Sequence, residues 1–325
     1  MFPYTTYLLP IVAVLLAGNT SVNANPVVCR VDNTQPFGTN PINKPKVEYL
    51  GFHAADNSCS HRDLGFTGAI AGQWYALWGD VLWCDAGVTG AGKGHAWIPR
   101  HGDNGRQRQL VPFNSFWGEK FDTGFGGTSL VETNPDTATT AVFYLVNSAG
   151  LVGAGVAKVD VINGTPTPAH TNPRYGDIVA FRDPRSDFVY AWGGPPTTAS
   201  GWVEGSSVYL VRVKASEAFD MSKYQYWWGL QQGWKSDRLT AFTSETATLW
   251  GAGQGIGGGF VFLRAASRPE GPWTPDVKIF QAEPIDGSLV YAGVAHPYLD
   301  ESGKTPVVSF TNNNRIQVIK ATFSQ

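Results

Sequence analysis

Five stretches rich in aromatic and β-branched residues recur along this chain, and their spacing restricts the fold more than anything else in the sequence. They are 74–80, 141–147, 188–194, 259–265 and 306–312, at steps of 67, 47, 71 and 47 residues, a mean of 58. Four of them follow a turn-forming group: Asn134-Pro135-Asp136, Asp183-Pro184-Arg185-Ser186, Gly257-Gly258 and Asp300-Glu301-Ser302-Gly303. A strand, a turn and a second strand, repeated at this period, is the pattern of a blade with about four strands. The expected fold is all-β, a single-domain five-bladed β-propeller. A two-sheet sandwich would leave five paired segments unexplained. Helical signal is confined to a short polar turn over 216–223.

The start of the chain carries an expectation about its compartment. An apolar run of about ten residues, Tyr7 to Ala17, is too short to cross a bilayer, which takes about 20. The small residues at Val22-Asn23-Ala24 suit signal-peptidase cleavage. Residues 1–24 therefore read as a secretory signal peptide of an extracellular protein, soluble or attached to a wall, and 301 of 325 residues follow it. Residues 25–46, rich in Pro, Asn and Thr, read as an N-terminal arm, expected to supply a strand that joins the last blade at 316–323. The propeller takes 47–325. A net charge of −2 without a basic cluster excludes nucleic acid and membrane surfaces as partners. A monomer is expected.

Several chemistries drop out. The glycine-rich 253–259 lacks the Lys-Ser/Thr ending of a phosphate loop, three cysteines with scattered histidines lack zinc spacing, and no Gly-x-Ser-x-Gly elbow occurs. No cofactor or metal is expected from motifs. Asn163-Gly164-Thr165 is a glycosylation sequon.

The first recurrent segment belongs to a hairpin with chemistry at its open end. With Ala71-Gly72 as its turn, facing residues have numbers that add to 143, and Asp63 then stands across from Asp80. Like charges placed opposite destabilise a sheet, so a pair kept there points to use. Cys59 and Cys84 satisfy the same sum, which favours that pairing among the three the cysteines allow. The position of Asp80 is taken by Asn147, Gly194, Ala265 and Asn312 in the other units. Asp63, Asp80, Asn147 and Asn312 are thus expected at one mouth of the channel, with Glu132, Tyr291 and His296. Two carboxylates in a sugar-sized cleft suffice for glycoside hydrolysis. The plainer readings are that Asp63 pairs with Arg62, that Asp80 caps a turn and that His296 is a satisfied core histidine. Glu204, Asp177 and Glu132 are candidates for a third acid, or solvated loop residues. Trp227, Trp228 and Trp234 form either a stacking platform or packing between blades.

Arg62-Asp63-x-Gly65 followed by Leu77-Trp78-Gly79-Asp80 resembles the "Arg-Asp-Gly-Gly … Phe-Gly-Asp-Thr" pattern of glycoside hydrolase family 183, the endo-D-arabinanase family of secreted five-bladed propellers. The likeness continues through 208–213, Tyr226-Trp227, Gly271-Pro272-Trp273-Thr274 and 291–297. More distantly, the layout is similar to the furanoside-active propellers of families 43 and 32. Leu64 and Val81 stand where the family usually has Gly and Thr. The resemblance implies catalytic roles for Asp63 and Asp80; Arg62, next to Asp63, is a candidate substrate contact. The expected function is a secreted glycoside hydrolase acting on an arabinan-like furanoside polysaccharide, Asp63 as base and Asp80 as acid. The alternative is a non-catalytic carbohydrate-binding or wall-interaction propeller. Retaining and inverting courses both stay open.

Overall fold

All five recurrent stretches become strands, one in each of five antiparallel sheets that succeed one another along the chain. The computed structural model describes residues 43–53, 61–70, 72–82, 91–92, 96–99, 108–109, 124–134, 136–137, 139–147, 151–160, 170–171, 175–176, 178–183, 185–194, 207–243, 245–250, 259–300, 302, 304–313 and 315–323. The fold is all-β. Among these residues the helical pieces are single 3₁₀ turns, two of which (Ala215–Glu217 and Met221–Lys223) fall on the polar turn expected over 216–223.

Sheet I holds β2 (His61–Ile70), β3 (Gln73–Leu82), β4 (Ala91–Gly92), β5 (Ala96–Pro99) and β6 (Arg108–Gln109), with β4 and β5 both pairing β3. Sheet II runs from β7 (Gly124–Asn134) through β8 (Thr139–Asn147) and β9 (Leu151–Asp160) to β10 (His170–Thr171). Sheet III runs from β11 (Val179–Arg182) through β12 (Phe188–Gly193), β13 (Ser207–Lys214) and β14 (Gln225–Trp227) to β15 (Trp234–Lys235), and β16 (Leu249–Trp250) returns to pair β13. Sheet IV contains β17 (Phe260–Leu263) and β18 (Val277–Gln281). In sheet V, β19 (Val290–Ala295), β20 (Val307–Asn312) and β21 (Arg315–Thr322) are joined by β1 (Lys46–Phe52).

That last pairing joins the two ends of the described chain. Lys46 faces Thr322 and Phe52 faces Gln317. The joining strand begins at Lys46, the last residue of the expected N-terminal arm, and residues 25–42 of that arm lie outside the described residues.

The turns follow from short polar side chains that bond their own backbone. Asn134 Oδ1 accepts the Asp136 amide at 3.0 Å between β7 and β8. Asp183 accepts the Arg185 amide and the Ser186 hydroxyl between β11 and β12. Asp300 accepts the Ser302 amide between β19 and β20.

Strand alternation then divides the apolar side chains of sheets II and III between their two faces. In β8, Val142 and Tyr144 join Phe66 and Ile70 of sheet I, while Ala141 and Phe143 join Ala180, Val189 and Ala191 of sheet III. In β13, Tyr209, Val211 and Val213 turn to sheet II, while Val208 and Leu210 pack with Tyr190, Trp192, Trp227 and the Trp273 that follows β17. Val261, Leu263 and Ile279 of sheet IV pack on Val308, Phe310 and Ile319 of sheet V. A side chain of this size contributes about 1.5–3 kcal/mol on full burial, so a sheet covered on both faces draws stability from two neighbours. The tryptophans expected as either platform or packing take the second role. Trp227 is buried and its ring lies 5.3 Å from that of Trp234, which covers the Arg212 guanidinium at 4.2 Å, with the Phe188 ring 4.5 Å from the same group.

Sheets I and II approach so closely that one position tolerates no side chain. A Cβ at Gly68 of β2 would collide with the Cβ and carbonyl of Leu130 in β7. Gly68→Ala is expected to lower the unfolding free energy by about 1–3 kcal/mol, as overpacking does. Gly72→Ala, with φ +71 but open space around it, should cost only about 1 kcal/mol. Denaturant unfolding of both variants checks the pair, and a wild-type midpoint for Gly68→Ala would refute the close approach.

Candidate active site

The β2–β3 hairpin forms in the expected register, with two interruptions at its open end. Ile70 faces Gln73, Ala69 faces Trp74, Gly68 faces Tyr75, Thr67 faces Ala76 and Phe66 faces Leu77. Beyond Phe66 the ladder skips Gly65, which has φ +120, and resumes at Leu64↔Trp78. It next reaches Arg62↔Val81, so Asp63 stands alone opposite Gly79-Asp80. One extra residue in each strand cancels, and the pairing that adds to 143 returns at Arg62↔Val81 and His61↔Leu82. Bulges of this kind re-aim whatever lies beside them and concentrate near active sites. The structure describes the backbones of Arg62, Asp63, Asp80 and Asn147 and not their side chains. Cys59, Cys84, Asn163, Asp177 and Glu204 lie outside the described residues.

Contacts between sheets fix which residues share a level. Gly68 is level with Leu130, the Thr140 hydroxyl donates to the Ala69 carbonyl at 3.2 Å, and the Gly72 amide donates to Glu132 Oε1 at 3.0 Å. β7 therefore runs alongside β2 in the same direction. Gly124, which begins β7, faces Asn147, and this puts Asn147 at the same end as Asp63 and Asp80. The bulges match as well: β7 carries its own between Gly127 and Ser129, at the level of Gly65.

Glu132 does not join them. It lies where β2 turns into β3, at the far end of β2 from Asp63, seven residues or roughly 23 Å of strand away. There it accepts the turn amide, and its own carbonyl and that of Thr133 accept from the Arg182 guanidinium at 3.4 and 3.3 Å. This corrects its expected place at the mouth and removes it as a third acid there.

In sheet V the expected residues separate in the same way. Tyr291 and Asn312 sit at one end, where Val290 faces Asn312 and Tyr291 faces Thr311, while His296 lies just past the other end of β19. Asn312 is fully buried and its amide is committed. It donates to the Glu283 carbonyl and Gln317 Oε1 at 2.9 and 2.7 Å and accepts the Ile285 amide at 2.9 Å. These bonds hold the 283–285 segment against β20 and leave that amide no contact to offer a ligand. β19 is bulged between Tyr291 and Val294, where Ala292 takes φ 55. A left-handed alanine is uncommon and such outliers gather at functional sites; the sequence carried no signal for it.

His296 also departs from the role of a channel-facing donor. It is buried, with Nδ1 3.0 Å from the Thr67 hydroxyl of β2 and Nε2 2.7 Å from the Ser309 hydroxyl of β20. It pins sheet V to sheet I, which is the satisfied core histidine among the readings above. Burial, and then the nearby His53, push it down to about 4 from 6.5. Among the described residues no three His, Cys, Asp or Glu side chains gather closely enough to hold a metal ion.

The depressed His296 value has a definite sign. Between pH 6.5 and 4 the unfolded chain binds the proton and the folded one does not, so stability falls as the pH drops through that window. The loss is on the order of 3 kcal/mol when complete near pH 4. Denaturant unfolding at stepped pH should show this slope in the wild type and a flatter one in His296→Gln. Parallel curves would contradict the assignment.

Among known proteins, no family model matches the chain and no curated protein matches it significantly.

Proposed function

We propose that the chain is a secreted glycoside hydrolase of the five-bladed propeller type, cleaving an arabinan-like furanoside polysaccharide with Asp63 and Asp80 as its acid–base pair. The observation that carries this reading is the register at the hairpin's open end, where Asp63 opposes Gly79-Asp80. Facing Cα atoms lie about 4.5–5.5 Å apart, close enough for two carboxylates to split their pKa values by mutual repulsion. One then protonates the departing oxygen while the other attacks the sugar or activates water.

The propeller arrangement is supported by the order of packing. Sheets I and II, II and III, III and IV, and IV and V share apolar clusters, while sheet V meets sheet I through Thr67 and His296. A ring of five sheets accounts for that sequence of neighbours, and β1 gives the last sheet its fourth strand. In such a ring the first strands line the channel in parallel. The starts of β2, β7 and β19 then surround one mouth, and Arg62, Asn147 and Tyr291 are the substrate contacts nearest the acids.

The signal peptide places the protein outside the cell, where Cys59 and Cys84 oxidise and Asn163 is glycosylated. A Cys59–Cys84 bond joins the sequence just before β2 to that just after β3, the two strands that carry Asp63 and Asp80.

Reducing-end release from a panel of wall polysaccharides including arabinans tests the proposal. Asp63→Asn and Asp80→Asn should each lower turnover by about 10²–10⁴-fold while the fold persists. Either variant at wild-type turnover removes that residue from the mechanism. If the glycan is bound without any release of reducing ends, the protein is a binding module instead. Proton NMR of the first-formed anomer assigns the course, since a carboxyl separation of about 5–5.5 Å gives retention and about 6.5–9.5 Å inversion.

A further inference from the structure

The joining strand β1 carries an exposed apolar cluster that the core does not use. Tyr49, Leu50 and Phe52 are 47%, 47% and 51% exposed, and none belongs to a core cluster. The Tyr49 and Phe52 rings stand edge to face, centroids 6.5 Å apart. Such a pair on a solvent-facing edge calls for an explanation.

Two features say what kind of partner fits. First, Tyr49 is held from behind. Gln317 Nε2 donates to its hydroxyl at 3.0 Å, and Gln317 Oε1 accepts from the buried Asn312 amide at 2.7 Å. The ring is fixed before any ligand arrives, so binding costs little ordering entropy. Second, the strand is unsuited to adding another strand. Its ladder to β21 slips between Tyr49 and Gly51, where Gly51 takes φ +105, and Lys46 and Glu48 place charges before the slip. Bulges and edge charges are how sheets block pairing with a second chain. What remains is a rigid, amphipathic aromatic corner with polar groups at its rim, including the Lys320–Glu48 ion pair at 3.3 Å. A sugar ring, with one face of C–H groups and hydroxyls at its edge, is complementary to that surface.

We propose that Tyr49 and Phe52 form an accessory platform on which a polysaccharide chain rests as it leaves the acid mouth. The proposal rests on the glycoside hydrolase reading. In the ring, Phe52 lies at the end of sheet V where β21 starts, β20 ends and β19 starts, which is the mouth end. The platform therefore extends the same site outward along the polymer rather than forming a separate one.

The test uses the full secreted chain with soluble arabinan, and with short arabino-oligosaccharides that serve as substrates for the acid mouth alone. The double variant Tyr49→Ala/Phe52→Ala should raise the KM for the polymer about tenfold, the combined loss of two ring contacts. Its kcat, and its turnover of the short oligosaccharides, should match wild type. Tyr49→Trp/Phe52→Trp keeps the rings and should keep the polymer KM. An unchanged polymer KM in the alanine variant overturns the platform and leaves the hydrolase reading standing. An equal loss on short substrates overturns it too, as does a wild-type dimer that the alanine variant abolishes. A wild type that neither binds nor cleaves any of these glycans defeats both readings at once.

Discussion

The ladder between Lys46–Phe52 and Arg315–Thr322 is the interaction on which the rest of the structure depends. Most of the sheets bury apolar residues on both faces, so few are stable alone, and each relies on neighbours that rely on others. Such a chain of mutual dependence must either end in capping surfaces or return to its start. In the proposed ring it returns, and the pairing of the earliest described strand with the last makes that return topological as well as hydrophobic. Loss of this ladder would open a sheet and at the same time free the connection that leads to Asp63.

The five interfaces are not alike. Four are sealed by clustered aromatic and aliphatic side chains. The contact between sheets V and I relies on Val294 and on the hydrogen bonds of a buried imidazole. Apolar packing is insensitive to pH and tolerates small shifts, while a histidine held by two hydroxyls is directional and titratable. This seam is where the proposed ring is most specified and least forgiving.

Much of this was legible in the sequence. The five strand segments, the hairpin register and the turns all followed from turn chemistry and from the period of two. The ends of strands were harder. Glu132 and Asp63 look alike as acids in first strands, yet Glu132 is three residues before Pro135 and Asp63 is eight before Ala71. Counting back from each turn separates them to opposite ends. His296, four residues before Asp300, sits near its turn for the same reason. The burial of Asn312 left no trace in the sequence, because its bonds run to the Gln317 side chain and to backbone groups of 283–285 that no pattern marks. The bulge at Ala292 was equally hidden, since alanine does not advertise a positive φ.

The paired bulges at Gly65 and between Gly127 and Ser129 separate two demands that a strand ordinarily must meet together. Side-chain direction in a strand is dictated by counting, so a change of register anywhere propagates to every residue beyond it. An inserted residue resets the count. The half of the strand below it remains bound to the packing pattern of the core, and the half above is free to present a different order of side chains. Residues at the rim can then change without disturbing the interior, because the two halves of the strand answer to different neighbours.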